Sequence, residues 1–312
     1  MPPELTEIAS HLTLTPQRSL GIPIALVGAV ILSLGTQFQH AGVSKVGDSS
    51  DGASSGLSIK QILALLRRPS WVIGSLLLGL AIVFQLTSLA FSPLTVVQPL
   101  GAIALVITAI LNARISKVPL DRASIRAIAF CVGGIALFVG VAAVFAETPP
   151  ITELQLGTVL IIMTVVLLVF GVLFAFFRAR FKPIFYIIGA GVLFGFVATV
   201  AKVVIGRIQT LFDAQFRTGS IEWLTIGCVL GLIAAAALGS YFVQTAYATG
   251  PPDLVVAGLT VIDPIIAITI GIVVLGEAAE APLWAVFAFL IAGGIAVYGV
   301  FQLSKHHPQT QH

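Results

Sequence analysis

Apolar positions in this chain come in long unbroken stretches rather than in the alternating or every-third pattern of half-buried elements. The stretches run about twenty residues, the length an α-helix needs to cross a ~30 Å hydrocarbon core. Nine such helices are predicted, at 20–40, 71–91, 93–115, 124–146, 155–178, 183–211, 221–248, 252–276 and 281–304. Polar and proline-bearing breaks separate them at Ser92-Pro93, Glu147 to Pro150, Lys182-Pro183 and Gly250-Pro251-Pro252. Between the first two helices, residues Gly47 to Gly56 hold only Gly, Ser, Ala and Asp, which predicts a solvated, flexible loop within 41–70. The expected fold class is therefore all-α, a polytopic membrane protein.

Composition agrees. Of 312 residues 58% are hydrophobic and 9% charged, against about a quarter charged in an ordinary soluble domain. The two cysteines, Cys131 and Cys228, sit inside apolar runs, as packing residues rather than a disulfide framework. The start of the chain lacks the charge pattern of a signal peptide. No Gly-Lys-Ser/Thr phosphate loop occurs, which argues against ATP hydrolysis. No cofactor and no nucleic-acid partner is expected.

The basic residues test the helix count. With nine helices, Arg18, Arg207 and Arg217 fall on one side of the membrane, three in all, and twelve fall on the other. Only Lys202, within the sixth helix, is left over from the sixteen. Positive charge marks the cytoplasmic side, so the expected orientation in the plasma membrane has the N-terminus outside and the C-terminus inside.

Internal similarity divides the chain. Thr87, Ala90 and Pro93 recur as Thr245, Ala248 and Pro251 at a spacing of 158. Gly133-Gly134-Ile135 recurs as Gly293-Gly294-Ile295 at 160, and Gly28 and Thr36 match Gly191 and Thr199. Helices one to four then correspond to helices six to nine, with the fifth as a connector. The expected organisation is a tail at 1–19, a first repeat at 20–146, a connector helix at 155–178, a second repeat at 183–304 and a cytoplasmic tail at 305–312. An odd number of crossings separates equivalent loops, so the repeats are inverted, an architecture recurrent in secondary transporters.

The sharpest chemical feature is Asp263, about eleven residues, or roughly 16 Å, into the eighth helix. A carboxylate at that depth costs about 2.5–3.5 kcal/mol on insertion scales and ordinarily faces a cavity or a partner. Pro264 follows it and frees a carbonyl. Helical spacing sets Thr260, Asp263 and Ala267 on one face. Gln98 and Pro99 form an uncharged counterpart in the third helix, and Gln85, Tyr241 and Gln244 add polar groups on the second and seventh. Each also has a bland reading as an interhelical hydrogen bond. Lys202, about nineteen residues into the sixth helix, either snorkels to the outer interface or pairs with Asp263 across a depth difference of about 12 Å. Glu277 and Glu280 are expected to end the eighth helix in water. Gly191 with Gly195, and Gly227 with Gly231, have the spacing of close helix packing.

The segment Ala90 to Ala102, with Pro93, Gln98, Pro99 and Gly101, resembles the third-helix signature of the drug/metabolite transporter (EamA-like) superfamily, and within it the NIPA-like magnesium transporter branch. Gly195 to Gly206, including Lys202, resembles a second segment of that branch, and Pro251 to Glu277 the superfamily helix that ends in Gly-Glu. The resemblance implies an inverted-repeat carrier with a central cavity, and magnesium as one possible cargo. Magnesium takes oxygen ligands with one or two carboxylates, and Asp263 is the one deep carboxylate that would serve it. The leading expectation is a secondary transporter of a small solute coupled to a proton or ion gradient. A magnesium permease, a lipid-linked substrate translocase and a non-transporting membrane scaffold are alternatives. An enzyme is not expected. The partners expected are the bilayer and a small-molecule or cation substrate, with a homo-oligomer left open.

Overall fold

The computed structural model of the chain describes residues 16–47, 66–115, 117, 120–177, 182–213, 223–250 and 252–305. Within them all regular structure is helical: α1 (Pro16–Gly47), α2 (Pro69–Phe91), α3 (Leu94–Gly101 and Ile103–Ile115), α4 (Arg122–Phe145), α5 (Glu153–Phe177), α6 (Pro183–Asp213), α7 (Trp223–Thr249), α8 (Pro252–Val273) and α9 (Leu283–Lys305). Nine of these described helical spans, counting α3 as one, are long and apolar enough to cross a membrane, as a multi-pass membrane protein requires. Helix α1 exceeds its expected bounds at both ends and runs seven residues into the segment assigned to the loop. No proline or paired glycine interrupts the sequence over 41–47, so the helix continues through it. Of the remainder of that loop only residues 66–70 are described, with Pro69 already opening α2, and of the two predicted tails only Pro16 to Ser19 and Lys305.

Large side chains such as Leu76, Ile161, Leu168, Leu230 and Leu290 are more than half exposed on the outer surface of the bundle. A surface this apolar suits hydrocarbon rather than water. The spans α3 and α6 are central, each 61% buried over its most apolar stretch, whereas only 11% of that of α5 is buried. Helix α5 rests on the outside, against α6 and α7. Helix α1 packs along α2 and α6 along α7, while α3 lies against α1 and α8 against α6. The two sets meet where α3 touches α8 and where α4 runs along α9.

Glycines allow the closest approaches. A methyl group added to Gly134 of α4 would meet the backbone of Ala296, 2.8 Å from its Cα, and one on Gly299 of α9 would lie 2.6 Å from Cys131 Cα. The two glycines serve different points of the α4–α9 crossing, Gly134 against Ala296 and Ala292 and Gly299 against Cys131, whereas Gly294 faces open space. Gly191 and Gly195 pack as expected: added methyls would stand 2.7 Å from Ile262 Cβ and Ile266 Cβ of α8. Helix α3 is interrupted at Ala102, three residues after Pro99, where the Ala102 amide donates to the Pro99 carbonyl at 3.2 Å in a tight turn.

Candidate functional site

Among the described residues, enclosed carboxylate chemistry within the bundle falls in two places, and they differ in kind. The first is the sharp corner between α2 and α3. Its residues Ser92, Leu94 and Thr95 are fully enclosed, so the orphan carbonyls ending α2 and the orphan amides starting α3 have no access to water. Pro93 stands at the N-cap of α3 and has no side-chain acceptor. Glu277 fills that role from the turn after α8. Its Oε1 accepts from Leu94 N at 2.8 Å, and its Oε2 accepts from Thr95 N at 2.8 Å and Thr95 Oγ1 at 2.6 Å.

On the other side of the corner, Lys202 of α6 donates from Nζ to the carbonyls of Leu89 at 2.6 Å and Ser92 at 2.9 Å. Gln209 Nε2 reaches Ala90 O at 3.4 Å. A carboxyl group therefore sits at a helix N-terminus and an amine at a helix C-terminus, the placement the peptide dipoles favour for their charged forms.

The turn that aims Glu277 is itself pinned. Gly276 has φ +72°, a left-handed conformation that suits glycine, and the Glu277 amide donates back to Gly271 O at 3.0 Å. The Glu277 carbonyl accepts from Glu147 N at 2.6 Å. Gly271 leaves room for the carboxylate, since a methyl there would lie 2.9 Å from Oε2. Gln155, in a reciprocal capping box with Thr152, extends Nε2 to the carbonyls of Val274 and Leu275 at 3.3 and 3.2 Å. Burial pushes the Glu277 carboxyl above the ordinary glutamate value of 4.5; hydrogen bonds from Thr95 and Leu94 and the Lys202 charge pull against it.

Two expectations are corrected here. Glu277 does not meet water; it is 1% exposed. Lys202 neither snorkels nor pairs with Asp263; at 3% exposure it is held by carbonyls of α2, with Glu277 as its electrostatic partner. These carbonyls pull the ammonium toward the bundle instead of the interface.

The second place is Asp263. Its Oδ1 is enclosed and has no partner, and among the described residues no hydrogen bond or ion pair reaches the side chain. Gln98 Nε2, on the neighbouring α3, is likewise enclosed and unpartnered. Around Asp263, α6 closes one flank: a methyl on Gly195 would sit 2.9 Å from the Asp263 carbonyl. The Thr260 hydroxyl turns back to Val256 O at 2.8 Å.

A cavity of about 500 Å³ lies between α3, α4, α8 and α9, and Pro99, Thr260 and Pro264 line it. Asp263 does not. At about 100° of rotation per residue Asp263 points some 60–140° away from Thr260, Pro264 and Ile268, which share the cavity face. The face predicted to hold Thr260, Asp263 and Ala267 is thus divided, with Ala267 fully buried in the bundle. Of the remaining predicted residues, Gln85 is half-buried, while Tyr241 and Gln244 are exposed. None of these three lines the cavity. Tyr241 meets Phe174 edge-on, with ring centres 5.3 Å apart. Among the described residues no group of three or more His, Cys, Asp or Glu gathers as a metal site would.

Comparison with known proteins adds one relative. The chain is 28% identical over 293 residues to an uncharacterized protein of Corynebacterium glutamicum, Cgl0250/cg0304, covering 92% of this chain and 95% of that one. No family model matches the chain. No solved structure matches it.

Proposed function

We propose that this protein is a secondary transporter of a small solute, with Asp263 as the acid that couples transport to a proton or ion gradient. One observation carries the reading: an enclosed carboxylate oxygen without a partner, within a membrane-spanning helix, immediately before a proline. A polar group left this way in an apolar interior is costly, and a site that binds and releases a cation accounts for keeping it. Pro264 removes one amide from the α8 ladder, so the Thr260 carbonyl is a second oxygen for such a cation.

The inverted-repeat reading belongs to the same proposal. Its support is the recurrence of pairings, α1 with α2 and α3 in one half, α6 with α7 and α8 in the other, and contact between the halves through α3 with α8 and α4 with α9. Two interchangeable halves supply inward- and outward-open states of similar energy. In the proposed orientation the Glu277 corner lies at the outer face of the plasma membrane, because the loops richer in Lys and Arg lie at the opposite end.

The test is reconstitution in liposomes loaded with the pH dye pyranine. Solute panels are applied under an imposed pH gradient, with a magnesium dye in a parallel set. Solute-driven proton movement that Asp263→Asn abolishes is the expected result. Magnesium uptake independent of the proton gradient would favour a cation permease instead. No flux of any kind, with Asp263→Asn identical to the wild type, would sink the transport reading.

A further inference from the structure

The cavity between α8 and α9 is not chemically suited to the cation that Asp263 would bind, and its occupant has to be sought separately. Its walls are apolar, from Pro99 and Phe138 to Phe289 and Val297. The hydroxyls of Thr260 and Thr269 both turn back onto their own helix, to Val256 O and Ile265 O at 2.8 and 2.7 Å. Apart from the Thr260 carbonyl that Pro264 frees, these walls offer little to hold a water, an ion or a polar solute, which need about two to four polar partners, and apolar cavities take up apolar molecules.

Shape narrows the choice. The cavity follows α8 from Thr260 to Ile272 and α9 from Val286 to Val300, a length of about 18–21 Å at 1.5 Å per residue. That spans one leaflet, about 15 Å, of a ~30 Å hydrocarbon core and reaches roughly a helical turn beyond it. Its volume of about 500 Å³ is too small for a transmembrane helix of a second copy, 10–12 Å across. Its mouth is flanked by Ile265, Val286 and Leu290, all exposed on the outer surface of the bundle. At that depth the medium outside is lipid.

The geometry points to a lipid-binding site: the slot between α8 and α9 holds an acyl chain of a bilayer phospholipid, seated against Pro264 with Gly293 and Gly294 as its floor. The occupant lies on one flank of α8 and Asp263 on another. This inference is independent of the transport reading, since it concerns a face of α8 that Asp263 does not share.

The experiment uses the full-length protein in nanodiscs containing a phosphatidylcholine with a photoreactive diazirine near the middle of one chain, and maps adducts by mass spectrometry. Adducts are expected to concentrate at slot positions such as Ile268, Phe289 and Val297, over Leu168 on the exposed face of α5. Gly293→Phe fills the slot, and the nearest atoms to an added Cβ there are 3.9 Å away on Phe138, so the helices need not separate. It should reduce slot adducts by about tenfold or more, since keeping even two methylenes from apolar contact is a factor of that order. Gly133→Phe, on an open face of α4 outside the slot, should leave them unchanged. Labelling spread evenly over the outer surface, or insensitive to Gly293→Phe, would overturn the inference. So would slot positions left unlabelled in a stable dimer. If Gly293→Phe fails to fold, the wild-type distribution alone decides, because even labelling of Leu168 and slot residues is incompatible with a seated chain.

Discussion

The α2–α3 corner and the Asp263 region lie within the same bundle and answer the same problem in opposite ways. At the corner two buried charges each find partners: Glu277 accepts three hydrogen bonds and Lys202 makes two. At Asp263 a carboxylate oxygen is enclosed with none. A buried polar group whose partners are complete is part of the scaffold, and removing it leaves its partners exposed to an apolar interior. One whose partners are missing does no such work in the scaffold, and the proposed function gives it a ligand that comes and goes. Completeness of hydrogen bonding, more than burial or charge, separates the two roles.

The comparison breaks most readily at the corner. Glu277→Ala strands Lys202 and two helix-end amides, and thermal or denaturant unfolding in detergent should show a loss of about 3–5 kcal/mol. Replacing both charges, as Lys202→Met with Glu277→Gln, should recover part of that loss. If the double variant is no better than the single one, the two charges do not form a unit. Next in size is the glycine seam under Asp263. Gly195→Leu drives a side chain into Ile266 and the Asp263 carbonyl, for a loss of about 1–3 kcal/mol in the same measurement.

A smaller effect follows from pH. The folded-state pKa of Glu277 lies above its ordinary value of 4.5. The stability it contributes is complete below that ordinary value and is lost as pH rises through the folded one. Melting temperature should therefore decline over that window, and Glu277→Gln should remove the decline. Smallest on stability is Asp263→Asn, expected within about 0.5 kcal/mol of the wild type because no partner is lost. Its effect should appear instead in proton-coupled flux. A large destabilisation would show that Asp263 belongs with the corner after all.

The nine helices were legible because a bilayer imposes a length and a polarity that hydropathy registers directly. Pro99 accounts for the break in α3, and the close packing at Gly191 and Gly195 was legible from their spacing, though not that α8 is the partner. The corner was not. Lys202 binds main-chain carbonyls, which every residue possesses, so nothing in the side-chain pattern of α2 announces them. Glu277 acts on amides more than 180 residues away in sequence. Two signals pointed to it: Lys202 was the basic residue that no loop accounted for, and α3 began at a proline without a capping acceptor. The face of α8 was misread because Thr260 and Asp263, three residues apart, were treated as pointing one way. The cavity falls between those two directions.

Glu277 completes a helix whose own residues are made far earlier on the ribosome. While the first four spans enter the membrane, the amides of Leu94 and Thr95 have no acceptor of their own, and none arrives until the turn after α8 is translated. Biogenesis of the first half is thus left unfinished until nearly nine-tenths of the chain exists. Until that turn is made those amides have only water or other outside groups to bond, so closure of the corner comes after the first half is synthesised.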